Sequence, residues 1–218
     1  MILGIYGAGG LGREYFELAL LINQTEQRWS KIIFIDDTKD RGFFKNIEIY
    51  PFEVVSKLYK DGEIEICIAQ GEPNSKKQIR KKLEKNGYAL ATLISPTLHL
   101  PSSTKLGRGI VIKSGVSIGS DVIIGDNVSI LANSNIGHDT ILGDNCQIAP
   151  LVSISGNCVI GKDTYIGTQA AIMEKTLVGN GVIISMGACV FNDIPDGLIV
   201  MGNPARFVKN NIKNKVFK

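Results

Sequence analysis

The chain has 218 residues, 44% of them apolar, with 24 Lys+Arg, 21 Asp+Glu and seven prolines, a composition that excludes disordered and collagen-like chains and fits one or two globular domains. The net charge of +3 is too small and too dispersed for a nucleic-acid binder, whose basic residues cluster on one face. No apolar run approaches the roughly eighteen residues of a membrane span, and Met1 leads into a strand-like segment without a charged leader, so the expected location is cytoplasmic. Cys67, Cys146, Cys158 and Cys189 are widely spaced with no CxxC pair, which predicts small buried residues and neither a zinc site nor a disulfide framework.

Residues 1–94 alternate strand and helix. The pattern predicts strand MILGIY, a glycine turn, a helix from Arg13 to Ile22, strand KIIFID, a helix after Pro51, strand EIEICIA, a Lys-rich helix, and strand YALATLI. The turn Gly7-Ala8-Gly9-Gly10-Leu11-Gly12 fits GxGxxG between a strand and a helix, and Asp36 and Asp37 close the second strand. A helix start with exposed N–H groups suits a phosphate, and the acidic pair suits a ribose or a base. About 90 residues supply only half a dinucleotide fold, which disfavours a nicotinamide dehydrogenase but still allows one nucleotide diphosphate, as in a nucleotide sugar. A glycine turn needed only for strand-to-helix packing is the competing reading. The run Lys76, Lys77, Arg80, Lys81, Lys82 and Lys85 reads as an exposed helix face.

Residues 95–218 follow a different rule. Steps of six from Leu106 meet Ile112, Ile118, Ile124, Ile130, Ile136, Leu142, Ile148, Ile154, Ile160, Ile166, Ile172, Val178, Ile184 and Val190, all Leu, Ile or Val. Chance would produce such a run about once in ten million registers. Two residues earlier, each hexad holds a small or β-branched residue, and Gly follows the aliphatic at Gly107, Gly119, Gly125, Gly137, Gly143, Gly161, Gly167 and Gly179, expected to ease tight corners. A period of six suits a coil with three flat faces and eighteen residues per turn, a parallel β-helix of five coils roughly 24 Å tall. Cys146 and Cys158 fall in its inward slot.

Only His99 and His138 are present, so a three-histidine metal site cannot be built and no metal is expected. His138 falls at a corner, projecting outward, with Asp139 beside it to fix its tautomer and raise its basicity. One coil further lies Gly156, whose backbone should stack over His138 and whose N–H could meet a developing oxyanion. A glycine needed merely to turn the corner is the alternative.

The hexads resemble the left-handed β-helix acyltransferases. The whole chain resembles the sialic acid O-acetyltransferase (NeuD) family, including PglD-type acetyltransferases of nucleotide-linked amino sugars. The carriers are GAGGLGRE at 7–14, FIDD at 34–37, GHD at 137–139, AP at 149–150, SG at 155–156 and MGNPAR at 201–206. The fold class so implied is α/β plus all-β, a small Rossmann-like domain followed by a left-handed parallel β-helix of hexapeptide repeats. The resemblance further implies a homotrimer, acetyl-CoA as co-substrate, and His138 as general base with Asp139 and Gly156. Gly7, Gly9, Gly10, Gly12, Asp36 and Asp37 would bind a nucleotide sugar. Gln147, Gly156, Gly167, Ala171, Ser185, Gly187, Gly202, Asn203, Pro204 and Arg206 would bind acetyl-CoA. Arg206, Lys209, Lys213, Lys215 and Lys218 form a cationic tail that could meet CoA phosphates or simply be solvated. Two positions depart from the family near the expected centre: Leu131 stands where Asn is common, and Gln147 where a second His is common. Gly71-Glu72-Pro73-Asn74 also departs, which leaves the nucleotide open. N-acetylation of a nucleotide-linked amino sugar, O-acetylation of a sialic-acid-like hydroxyl, and a non-catalytic nucleotide-sugar-binding partner are the three readings, the first favoured because a phosphate-binding loop needs a nucleotide-bearing acceptor.

Overall fold

The computed structural model describes residues 1–212 and 215–216; Lys213 and Lys218 of the expected cationic tail lie outside them. The front domain runs β1 (Ile2–Tyr6), α1 (Gly10–Glu26), β2 (Lys31–Ile35), β3 (Gly42–Phe44), β4 (Ile47–Tyr50), α2 (Phe52–Leu58), β5 (Ile64–Ile68), α3 (Pro73–Lys85) and β6 (Ala89–Leu90). Its sheet has the order β3-β4-β2-β1-β5-β6, parallel except for the β3–β4 hairpin. That hairpin, turning at Lys45 with φ 54°, was not visible in the alternating pattern. β1 and β5 are buried on both sides, as strands covered by helices on both faces are, and the one charge among them, Glu65, is held by Arg28 and the Trp29 indole. One core packs α1 against the sheet, and another packs α2 and α3 against its other side. The expected single strand YALATLI divides. β6 stays in this sheet, while Leu93–Ile94 crosses to pair with Val111–Ile112 of the second domain.

From Lys105 to Val190 two-residue strands recur every six residues and pair eighteen residues apart, as in Ser129↔Gln147 and Asn135↔Ser153. Fourteen of the fifteen periodic aliphatics are buried in one cluster, and Leu106, at the open end of the prism, is 37% exposed. The slot two residues earlier also points inward. Its polar members reach a carbonyl fifteen residues ahead: Ser134 donates to Ala149 O (3.0 Å), Thr140 to Ser155 O (3.1 Å), Cys146 to Gly161 O (3.1 Å) and Thr164 to Gly179 O (3.0 Å). These inward hydroxyls and thiols are satisfied by the corners, as buried polar groups generally are; at the open end of the prism the Thr104 hydroxyl, in the same slot, has no partner among the described residues.

The glycines that follow the aliphatics are not the ones that turn the corners. The left-handed backbone falls two residues later, at Asp121, Asn127, Asn133, Asp139, Asn145 and their successors, with φ near 60°. Asn and Asp tolerate that region better than other side-chain-bearing residues. Gly119 and Gly137 are required by the coil above. A Cβ on Gly119 would lie 2.5 Å from the His138 nitrogen, and one on Gly137 2.4 Å from that of Gly156.

The three prism faces differ in what they present outward. The first, with Val111, Ser129, Gln147 and Ile183, is buried beneath the front domain. The second shows Ser117, Asn135, Ser153, Ala171 and Cys189, and the third shows exposed Ile123, Ile141, Val159 and Leu177. Of the expected exposed helix face, Lys81 and Lys85 are exposed and Lys82 pairs with Asp37, but Lys76, Lys77 and Arg80 dock α3 on the prism. Lys77 pairs with Asp163 (2.5 Å), and Arg80 with Asp126 (2.6 Å) and Asp144 (3.5 Å). Lys76 is wholly buried, donating to Ser129 Oγ (2.8 Å), Cys146 O (3.3 Å) and Gln147 Oε1 (3.4 Å). Burial without a carboxylate partner drives its ammonium down to about 7, against a small upward pull from Cys146 and Cys67.

Candidate functional site

In the front domain the chain leaves β1 for β2 on one side and later returns to β5 on the other, so the carboxyl ends of β1 and β5 open a crevice where α/β sheets receive ligands. A cavity of about 450 Å³ lies there, lined by Tyr6, Gly7, Asp36, Asp37, Gln70, Asn74, Gln78 and Lys82 among others. The predicted glycines have separate duties. A Cβ on Gly12 would sit 1.9 Å from Gly7 O, and one on Gly7 2.6 Å from Ala69 O, so both serve strand-to-helix packing. Gly9 meets nothing within 4 Å and Gly10 only Arg13, at 3.9 Å. Gly9 is the N-cap of α1, with no side-chain cap and no acidic residue in the first turn. The N–H groups of Gly10, Leu11 and Gly12 precede the first helical bond, Arg13 N–H to Gly9 O, and are available to an anion.

Asp36 and Asp37 stand at the crevice but are already bonded. Asp36 accepts from the N–H of Ala8 (3.0 Å) and from the N–H and hydroxyl of Thr38 (3.0 and 2.6 Å), which fastens the glycine loop to the end of β2. Asp37 accepts from Tyr6 Oη (2.5 Å), Lys82 Nζ (2.7 Å) and the N–H of Phe52 (2.8 Å). Burial opposes ionisation of both. The bonds from Thr38 and Ala8, and from Lys82, Tyr6 and Phe52, outweigh it and hold both carboxyls below the usual range. The partnership of Tyr6 and Lys82 with Asp37 was not foreseen, because β1 and α3 are 76 residues apart in the pair Tyr6–Lys82.

On the prism, His138 and Asp139 are more than half exposed at the edge between the second and third faces, with Nδ1 2.7 Å from Asp139 Oδ2. The left-handed φ of 57° at Asp139 turns its carboxylate back toward the ring. Asp139 is placed to accept the Nδ1 hydrogen in the tautomer whose Nε2 lone pair faces outward. Gly156 stacks over the ring as the eighteen-residue period predicts. A Cβ there would lie 2.6 Å from Nε2 and 2.7 Å from Cε1. Among the described residues the Gly156 N–H has no hydrogen-bond partner.

Of the expected acetyl-CoA residues, Gly156 stands at the His138 edge and Gln147 lies elsewhere, while the others gather across the second face. Ala171 pairs with Cys189 on the second face, and the turn Gly202-Asn203-Pro204-Ala205 is pinned to the same Cys189 by Cys189 N–H to Gly202 O (3.0 Å) and Ala205 N–H to Cys189 O (2.7 Å). Gly167, Ser185 and Gly187 line the adjoining corner, where Gly167 N–H bonds Ile184 O and Gly187 N–H bonds Thr168 O. Arg206, exposed, follows the turn. Gln147 does not belong to this strip. It is 2% exposed, beneath the front domain and in contact with Lys76, so a soluble ligand cannot touch it. Leu131 is likewise buried, in the core shared with Tyr15, Ala91 and Val111. Neither lies at the His138 edge: Leu131, seven residues back, follows the strand Ser129–Ile130, and Gln147, nine residues or half a coil on, lies on that same first face.

This fold and site define a left-handed β-helix acyltransferase joined to a Rossmann-like domain. Residues 3–83 match the PglD N-terminal domain and residues 121–156 the bacterial transferase hexapeptide (six repeats). The acetyltransferase domain of PglB from Neisseria gonorrhoeae is similar over 95% of this chain and 99% of its own, at 29% identity and TM-score 0.89; a structure of that domain with acetyl coenzyme A gives 0.87 over 95% and 98%. PerB from Caulobacter crescentus, in complex with CoA and GDP-perosamine, shares the fold at 23% identity and TM-score 0.87 over 96% and 98%. No curated protein matches the sequence. The chain is thus similar to the PglD-type hexapeptide-repeat acetyltransferases in both of its domains. Among the described residues no helix is long and apolar enough to cross a membrane.

Proposed function

We propose that the protein transfers acetyl from acetyl-CoA to the amine of a nucleotide-linked amino sugar, a 4-amino-deoxysugar carried on UDP or another nucleoside diphosphate, in the cytoplasmic synthesis of a bacterial surface glycan. The observation that carries this reading is the pairing in one chain of an uncapped helix start, beside a Gly9 that no neighbour in the fold requires, with an exposed His138–Asp139 dyad. The first suits a diphosphate and the second a base. His138 Nε2 takes the proton from the sugar nitrogen as that nitrogen attacks the thioester carbonyl. The Gly156 N–H donates to the oxygen as it becomes an oxyanion. When the carbonyl reforms, the C–S bond breaks and His138 returns its proton to the departing thiolate. A base of this kind contributes about 10²- to 10⁴-fold.

The His138 edge lies opposite the face on which the front domain docks, so a chain's own crevice and its own His138 sit on opposite sides of the prism. A homotrimer resolves this by setting the site between neighbouring prisms. The exposed column Ile123, Ile141, Val159 and Leu177, each 37–52% accessible, is the apolar surface such packing would cover. Light scattering should return three times 23.6 kDa; a monomer would exclude the shared site. The reaction is tested by thiol release from acetyl-CoA with a panel of nucleotide-linked sugars. An acetylated 4-amino sugar in the product mass is the expected result. Acetyl on a hydroxyl, or nucleotide-sugar binding with no turnover on any amine, would overturn it.

A further inference from the structure

The edge that carries His138 divides two faces of opposite chemistry. The third face is apolar and suited to a neighbouring prism. On the second, Ser117, Asn135 and Ser153 form an outward column in register with one another. All three are exposed, and none has a side-chain hydrogen bond among the described residues. The upper end of this face, at Ala171 and Cys189, is where the turn Gly202–Ala205 and the expected acetyl-CoA strip lie. The lower part is left open beside the base. Asn135 is on the strand that runs directly into His138, three residues away, roughly 10 Å of extended chain at most. Ser117 and Ser153 stand one coil below and above, each about 4.8 Å along the prism.

We infer that Asn135, flanked by Ser117 and Ser153, holds the sugar ring of the acceptor beside His138 and so helps to decide which amino sugar is used. The inference rests on the acetyl-transfer reading above. An Asn amide offers two donors and an acceptor, and a Ser hydroxyl offers both, so the column matches a ring bearing adjacent hydroxyl and amino groups. The strand backbone cannot substitute for it, because its N–H and C=O groups are committed to the coils on either side: Asn135 N–H bonds Val152 O and Ser117 N–H bonds Ser134 O. Asn135 is thus a positioning residue, with no part in proton transfer.

The test is steady-state kinetics of the full-length protein with acetyl-CoA and the nucleotide-linked amino sugar that the unmodified protein acetylates. Asn135→Ala should raise KM for the sugar about tenfold, with kcat and KM for acetyl-CoA changed less than twofold. Affinity for the free nucleoside diphosphate and the melting temperature should be unchanged, since the side chain bonds nothing within the chain. Ser117→Ala should raise the sugar KM two- to threefold. An unchanged sugar KM in Asn135→Ala, or a rise in KM for acetyl-CoA instead, overturns the inference and leaves the functional reading standing. Absence of any sugar turnover by the unmodified protein overturns both.

Discussion

The glycine loop of the front domain and the glycine-lined edges of the prism place the same residue at the two halves of the site for different physical reasons. In the loop, Gly7 and Gly12 are fixed by contacts inside the domain, whereas Gly9 stands in open space, and that freedom points to an outside ligand. In the prism every glycine that follows a periodic aliphatic is fixed by the coil above it. Gly156 differs because the group that fills its missing Cβ is the imidazole of His138. A glycine whose space is filled by backbone, or whose φ is positive as at Gly62 and Gly87, serves the fold; Gly9, with open space and an ordinary φ of −84°, and Gly156, whose space is filled by a reactive side chain, are the candidates for the site.

Substitution by alanine can break this distinction. Gly12→Ala drives a methyl into Gly7 O and should have the largest effect, leaving the front domain unfolded or its melting temperature lowered by well over 5 °C by circular dichroism, as overpacking costing several kcal/mol would. Gly156→Ala should leave melting nearly unchanged yet lower kcat about 100-fold, as the methyl displaces the ring from its stacked position; an unaltered kcat would mean that the stacking is incidental. Lys76→Met sharpens the contrast between the buried and exposed cations of α3. The folded pKa of about 7 lies below the unfolded value, so between pH 7 and about 10.5 the unfolded chain binds more protons. Wild-type stability should then gain up to about 1.4 kcal/mol per pH unit over the variant as pH rises through that window, and parallel curves from denaturant melts would disprove it. Smallest, Gly9→Ala should keep the fold and weaken binding of a nucleoside diphosphate only a few-fold, measured by calorimetry.

The prism was legible because each aliphatic from Ile112 to Val190 reports a purely local rule repeated every six residues, and eighteen-residue arithmetic placed Gly156 over His138. The same arithmetic, applied to Gln147, would have moved it from the His138 edge, since nine residues are half a turn; proximity in sequence misled there. The docking of α3 was illegible for another reason. Lys77 and Arg80 look like a solvated helix face until Asp163 and Asp126, 86 and 46 residues away, are brought against them. Asp36 and Asp37 were located correctly at the end of β2, but not their bonds to Ala8, Phe52 and Lys82, which depend on how the loop, α2 and α3 converge.

The central claim is proton abstraction by His138 during acetyl transfer to a nucleotide-linked amine. Thiol release from acetyl-CoA, measured for the unmodified protein and for His138→Ala with the same acceptor and in parallel with calorimetric binding of that acceptor, tests it most directly. The account predicts a fall in kcat of at least 100-fold with acceptor affinity retained. Turnover within a few-fold of the unmodified protein would contradict it.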